Sequence, residues 1–193
     1  MKRIVLASNN KHKIREFQEN MKDYDIETME DVGFVQDIVE NGDNFYENAY
    51  IKAKTVHDYL LSKGIALDVI GEDTGLCVDA LDGEPGIYSA RYAGDHDDEA
   101  NRDLLLLKLK DRKDRSAHFT CQIVLVRADG SVEAVKGKTY GTILEEERGS
   151  KEFGYDCLFY SNDLGKTFGE ATSSEKATVS HRGRAIQELL KVL

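Results

Sequence analysis

The chain has 193 residues, with 26 basic and 36 acidic side chains, a net charge of −10 and 40% apolar residues. This is the balance of one globular domain over 1–193. It excludes a disordered chain, and no run of 18 apolar residues offers a transmembrane helix. So acidic an envelope argues against broad binding to nucleic acid or an anionic membrane, but leaves room for a small phosphorylated ligand in a local basic pocket.

Ile4-Val5-Leu6-Ala7 reads as a short buried strand, too short for a signal peptide. The cytoplasm is therefore the expected address. Ser8-Asn9-Asn10 breaks the strand with cap residues, and a helix is expected over 11–21 with Ile14, Phe17 and Met21 on one face. Phe45, Ala49, Ala53, Val56 and Leu60 recur at helical spacing. Asn44 followed by Glu47 has capping-box spacing, and Gly64 is placed to end that helix. Strands are expected over 66–70 and 76–80, with Gly71-Glu72-Asp73-Thr74-Gly75 as a turn between them. The acids around Asp97 predict a helix over 97–110, with Ala100, Leu104 and Leu107 inward. A half-buried strand follows over 117–125, then the hairpin signal Asp129-Gly130 and a partner strand over 132–140. The last helix, 182–193, turns Ile186, Leu189, Leu190 and Leu193 inward. Strand–helix alternation followed by a hairpin predicts an α/β domain with a mixed sheet.

Four segments carry candidate chemistry. Ser8-Asn9-Asn10-Lys11-His12-Lys13 leaves a strand and opens a helix, where free N–H groups and the helix dipole favour an anion; it lacks Walker A spacing, and a plain polar cap fits it as well. Glu47, Glu72 and Asp73 are acids of the kind that hold magnesium beside phosphate, although Glu47 also reads as a capping residue and Asp73 as a turn residue. Phe153-Gly154-Tyr155-Asp156 offers aromatics and an acid to a base, or else is an irregular strand with buried aromatics. Lys176 and Ser180-His181-Arg182-Gly183-Arg184 gather positive charge in an acidic chain, where Arg182 can donate to an oxygen acceptor. Asp95-His96-Asp97-Asp98-Glu99 reads as a helix cap, Glu145-Glu146-Glu147 as a solvated turn. Cys77, Cys121 and Cys157 are odd in number and far apart, as reduced buried thiols are.

In this order the segments resemble the inosine triphosphate pyrophosphatases. The matching residues are Ser8 to Lys13, Asn44-Phe45-Tyr46-Glu47-Asn48-Ala49 with Lys52-Ala53, and Glu72-Asp73-Thr74-Gly75-Leu76 with Val78-Asp79-Ala80-Leu81. Pro85-Gly86-Ile87-Tyr88-Ser89-Ala90-Arg91-Tyr92-Ala93-Gly94, the Phe153 segment and Ser180-His181-Arg182-Gly183-Arg184-Ala185 complete the set. The resemblance implies an elongated two-lobed α/β fold, a long central mixed β-sheet flanked by helices and an active-site cleft between lobes. It implies a homodimer and a Mg²⁺-dependent cut of ITP, dITP and XTP between the α and β phosphates, giving the monophosphate and pyrophosphate.

By the same resemblance Ser8, Asn9, Asn10, Lys11, His12 and Lys13 bind phosphate, and Lys52 and Thr74 contact substrate. Glu47, Glu72 and Asp73 attend the metal; Asp73 and Lys13 are catalytic, Asp73 as proton acceptor. Phe153, Gly154, Tyr155, Asp156, Lys176, His181 and Arg182 recognise the base. Two positions depart from the common pattern: Cys157 stands where a proline is common, and Glu72 where many members have Asp and others Glu; Thr74 sits where the family often has Ser. The competing readings are a related pyrophosphatase for modified pyrimidine or standard nucleotides, and a nucleotide sensor without turnover.

Overall fold

The computed structural model describes residues 1–193. Its strands are β1 (Lys2–Leu6), β2 (Tyr24–Thr28), β3 (Asp68–Val78), β4 (Ser116–Val126), β5 (Val132–Ile143), β6 (Phe159–Ser161) and β7 (Lys166–Thr167). Its α-helices are α1 (Lys11–Asn20), α2 (Phe45–Ser62), α3 (Asp98–Leu109), α4 (Ser173–Val179) and α5 (His181–Leu190), with 3₁₀ turns at Asp79–Leu81 and Gly86–Arg91. The strands form one sheet in the order β2-β1-β3-β4-β5-β6-β7. β1 runs parallel to β2 and β3, whereas β5–β6 and β6–β7 are antiparallel, so the sheet is mixed as expected. No helix is long and apolar enough to cross a membrane.

Within 1–193 the chain groups into two compact units. One comprises 1–73, 121–137 and 185–193; the other comprises 74–120 and 138–184. In the first unit, successive strand residues feed two cores. Ile4, Leu6, Ile70 and Ile123 pack with Phe17 and Met21 near α1 and with Ile186 and Leu189 of α5. Val5, Val69 and Val124 pack with Ala49, Ala53, Val56 and Leu60 of α2. This is the period-two alternation of a sheet covered on both faces. In the second unit Leu76, Val78, Phe119, Ile143 and Phe159 close over Leu105 and Leu109 of α3. Each fully buried Leu, Ile or Phe stabilises the fold by about 1.5–3 kcal/mol.

Three expectations are corrected. Residues 71–75 are not a turn between two strands; they lie inside the continuous β3. Gly71 is needed for close approach, since a Cβ there would sit 2.0 Å from the Ala49 carbonyl oxygen of α2. The inward face of α3 is Asn101, Arg102, Leu105 and Leu109, while Leu107 is exposed. Four consecutive leucines, Leu104 to Leu107, hide the helical phase, and Asn101 is satisfied inside by the Ala93 N–H at 2.6 Å. Finally, β4 is buried on both faces from Phe119 onward, as a strand lying between β3 and β5 must be. The expected hairpin at Asp129-Gly130 is present, with Gly130 at φ +85° donating to the Arg127 carbonyl.

Candidate active site

In the first unit β3 carries two adjacent acids that turn to different faces. Asp73 shares the Val69 face with α2: Asn48 Nδ2 donates to its Oδ2 at 3.3 Å and Lys52 Nζ stands 3.5 Å from its Oδ1. Lys52 also donates to Glu40 Oε2 at 2.8 Å. Burial pushes the Asp73 carboxyl above its ordinary value, against the pull of Lys52 and Lys13. Burial pulls the Lys52 ammonium down, but Asp73 and Glu40 outweigh it and hold the group above its ordinary value.

Glu72 shares the Ile70 face instead. Lys13 Nζ lies 2.7 Å from its Oε2, and the Cys121 thiol donates to its Oε1 at 3.3 Å. The loop before Lys13 is an N-cap: Asn10 Oδ1 accepts from the His12 and Lys13 N–H groups at 3.0 and 3.2 Å, and Ser8 Oγ accepts from Asn10 N–H. Asn9, Asn10 and Lys11 are exposed, whereas Ser8, His12 and Lys13 are partly covered. Glu47 is held in the α2 cap, accepting from the Asp43 N–H at 2.7 Å while its own N–H donates to Asn44.

The second unit holds the other predicted residues. Lys176 of α4 pairs with Asp156, and its Nζ lies 4.5 Å from the Phe153 ring centroid and 5.6 Å from that of Phe168. A cation over an aromatic face gains about 0.5–2 kcal/mol and orders the ring. Phe153 is partly exposed and presents a stacking face; Tyr155 is buried, with its hydroxyl donating to the Ser89 carbonyl at 2.6 Å. Burial drives the Tyr155 phenol well above its ordinary value, so it stays neutral. His181 is buried and stacks on Phe119 at 4.8 Å, and Arg182 is 1% exposed at the start of α5. Thr74 Oγ1 donates to the Thr120 carbonyl at 2.7 Å. Cys157 is buried, its carbonyl accepts from the Arg148 N–H at 2.8 Å and the Asp156 carbonyl accepts from the Gly169 N–H at 2.9 Å, so this segment keeps a hydrogen-bonded backbone without proline.

Asn48 and Glu40 were not among the sequence candidates. Asn48 had a legible signal, because Asn48 and Lys52 place two polar residues four apart beside the apolar stripe of Ala49, Ala53, Val56 and Leu60. Glu40 had none: it reaches Lys52 from an irregular stretch.

The chain has no group of three or more His, Cys, Asp or Glu residues able to cage a metal. Magnesium does not require one, since it takes one or two carboxylates and completes its shell with water and phosphate oxygens. A buried carboxyl that desolvation pushes up, as at Asp73, is stabilised in its charged form by a cation. The donor set therefore fits a hard divalent cation that arrives with a phosphate ligand.

Residues 4–192 match the Ham1 family. The chain is 47% identical over 195 residues to the dITP/XTP pyrophosphatase of Clostridium perfringens, covering 98% of this chain and 96% of that one. It is 40% identical over 198 residues to the dITP/XTP pyrophosphatase of Bacillus subtilis, covering 100% and 98%. The Ham1 protein of Staphylococcus aureus superposes with a TM-score of 0.88 at 40% identity, over 99% of this chain and 97% of that one.

Proposed function

The chain belongs to the Ham1 family, and from that premise we propose that it is a dITP/XTP pyrophosphatase. It hydrolyses dITP, XTP and ITP between the α and β phosphates, releasing the nucleoside monophosphate and pyrophosphate and clearing non-standard purines from the nucleotide pool. The observation that carries the reading is Asp73, a buried carboxylate steadied by Asn48 and Lys52, in a chain matched end to end by dITP/XTP pyrophosphatases.

The substrate carries several negative charges, so catalysis rests on positioning and charge neutralisation. Ser8, Asn9, Asn10, Lys11, His12 and Lys13 receive phosphate oxygens, with Lys52 as a further cation. Glu47 and Asp73 are the acids available to Mg²⁺, which when bound neutralises charge on the phosphate oxygens, whereas Glu72, expected beside them, is turned to the other face of β3. Asp73 takes a proton from water as the water oxygen bonds to the α phosphorus. The bond from that phosphorus to the bridging oxygen breaks, and pyrophosphate leaves with the electron pair. Glu72 fixes Lys13 on its side of β3.

Base selection follows from the purine edge. Hypoxanthine and xanthine present an acceptor at position 6 where adenine presents a donor amino group. Lys176 and Arg182 supply donors, Phe153 a stacking face, and Asp156 holds Lys176 in place. His181 and Tyr155 support this surface from within, and Thr74 contacts substrate. The protein works as a homodimer in the cytoplasm.

The test is pyrophosphate release with Mg²⁺ from ITP, XTP, dITP, GTP, ATP and dUTP side by side. Fast turnover of the first three with GTP and ATP far behind is expected. Preferential turnover of dUTP or of the standard nucleotides would overturn the base assignment, and tight ITP binding without turnover would make the protein a sensor.

A further inference from the structure

We propose that Arg102 and Asp98 of α3 are positioning residues for base selection: together they hold Gly154 so that the flanking Phe153 and Asp156 keep one arrangement. Arg102 Nη1 donates to the Gly154 carbonyl at 2.9 Å, and the Gly154 N–H donates to Asp98 Oδ2 at 3.1 Å. Both backbone polar groups of a single loop residue are thus held by two side chains of one helix, four residues apart and therefore on one helix face.

The grip is a built one. Arg102 is 4% exposed, and its Nε donates to Glu147 Oε1 at 2.6 Å, with Glu147 paired in turn to Lys151. A surface turn ordinarily gives such backbone groups to water. Here the carbonyl is met by a buried guanidinium, and charge-assisted bonds are about twice as strong as neutral ones. Gly154 sits at φ +47° with nothing within 4 Å of where a Cβ would be. Glycine is present for that left-handed turn rather than for want of space, and a turn of this kind holds its shape only when its polar groups are satisfied.

The consequence lies in what flanks the turn. Lys176 engages the Phe153 ring on one side of Gly154 and the Asp156 carboxylate on the other. If the turn moves, both partners of that ammonium move. An ordered turn binds without an ordering cost, whereas a loosened one pays it at each encounter and accommodates more than one base. This inference rests on the proposal that Phe153, Asp156 and Lys176 meet the base.

The experiment measures kcat and KM for dITP, XTP and GTP in Arg102→Leu, Asp98→Ala, Asp98→Asn and Lys176→Ala. Loss of one bond to a charged group corresponds to roughly tenfold in binding. KM for dITP and XTP should therefore rise by about that factor in Arg102→Leu and Asp98→Ala while kcat changes far less, and the preference over GTP should shrink. Asp98→Asn, whose amide oxygen still accepts from Gly154, should behave as the parent. If Lys176→Ala alters the preference but Arg102→Leu and Asp98→Ala only lower the melting temperature, the two residues are structural and the inference is overturned. If Lys176→Ala leaves the preference unchanged, the base assignment itself fails and takes this inference with it. Should Arg102→Leu not fold, the Asp98 pair decides.

Discussion

Glu72 and Asp73 are neighbours in sequence and face opposite sides of β3, Glu72 toward Lys13 and Cys121, Asp73 toward Asn48 and Lys52. The two acids therefore serve different ends. Asp73→Asn keeps the shape but removes the proton acceptor, and should lower kcat by about 10²–10⁴-fold with the fold intact. Glu72→Gln weakens the anchor of Lys13 and should act chiefly on KM. Steady-state kinetics on dITP decides, and equal kcat losses in the two variants would defeat this division.

Lys13 and Glu72 form a covered ion pair, with side chains 16% and 1% exposed. Removing one member leaves the other's charge desolvated, which typically costs about 3–5 kcal/mol. Lys13→Met should therefore be less stable to urea than Lys13→Met combined with Glu72→Gln. A double variant no more stable than the single one would show that the pair carries no such penalty.

Because no three-residue acid or histidine cluster exists, metal and nucleotide should bind together. Chelation with EDTA should abolish pyrophosphate release and leave the melting temperature unchanged. In calorimetry, Mg²⁺ without nucleotide should give little heat. A large EDTA-induced drop in melting temperature would point to a structural metal.

The helix that carries Lys176 has an acid-resistant cap. Glu175 is pulled from the ordinary 4.5 to about 2, first by Lys166 and then by the Thr172 N–H. A depressed carboxyl contributes its stabilisation above the unfolded value, and that contribution is lost as pH falls through the folded one. The cap of α4 should thus persist through mild acid and open near pH 2. A carbon-detected titration of the Glu175 carboxyl tests this directly; a midpoint near 4 would mean the cap is not formed in solution.

Much of the architecture was legible. The apolar stripe of α2 and its Asn44–Glu47 start needed only local information. β2 did not announce itself, because Tyr24-Asp25-Ile26-Glu27-Thr28 buries just Ile26. The stretch 71–75 misled for a chemical reason: two glycines around Glu72, Asp73 and Thr74 imitate a turn, whereas the polar residues are carried within the strand by their partners. Glu40, Arg102 and Asp98 were invisible for another reason. Their bonds reach across 12, 52 and 56 residues, and no periodicity encodes such a pairing.

Gly71 stands two residues before Asp73 on the face that meets α2, and its hydrogen occupies a gap that a single methyl would overfill. The same helix brings Asn48 and Lys52 to Asp73. The separation between a proton acceptor and its attendants is therefore set by an atom that is missing. Position 71 works as a ruler: lengthening it by one carbon would push the whole helix outward and detune three polar side chains at once, without altering any of them.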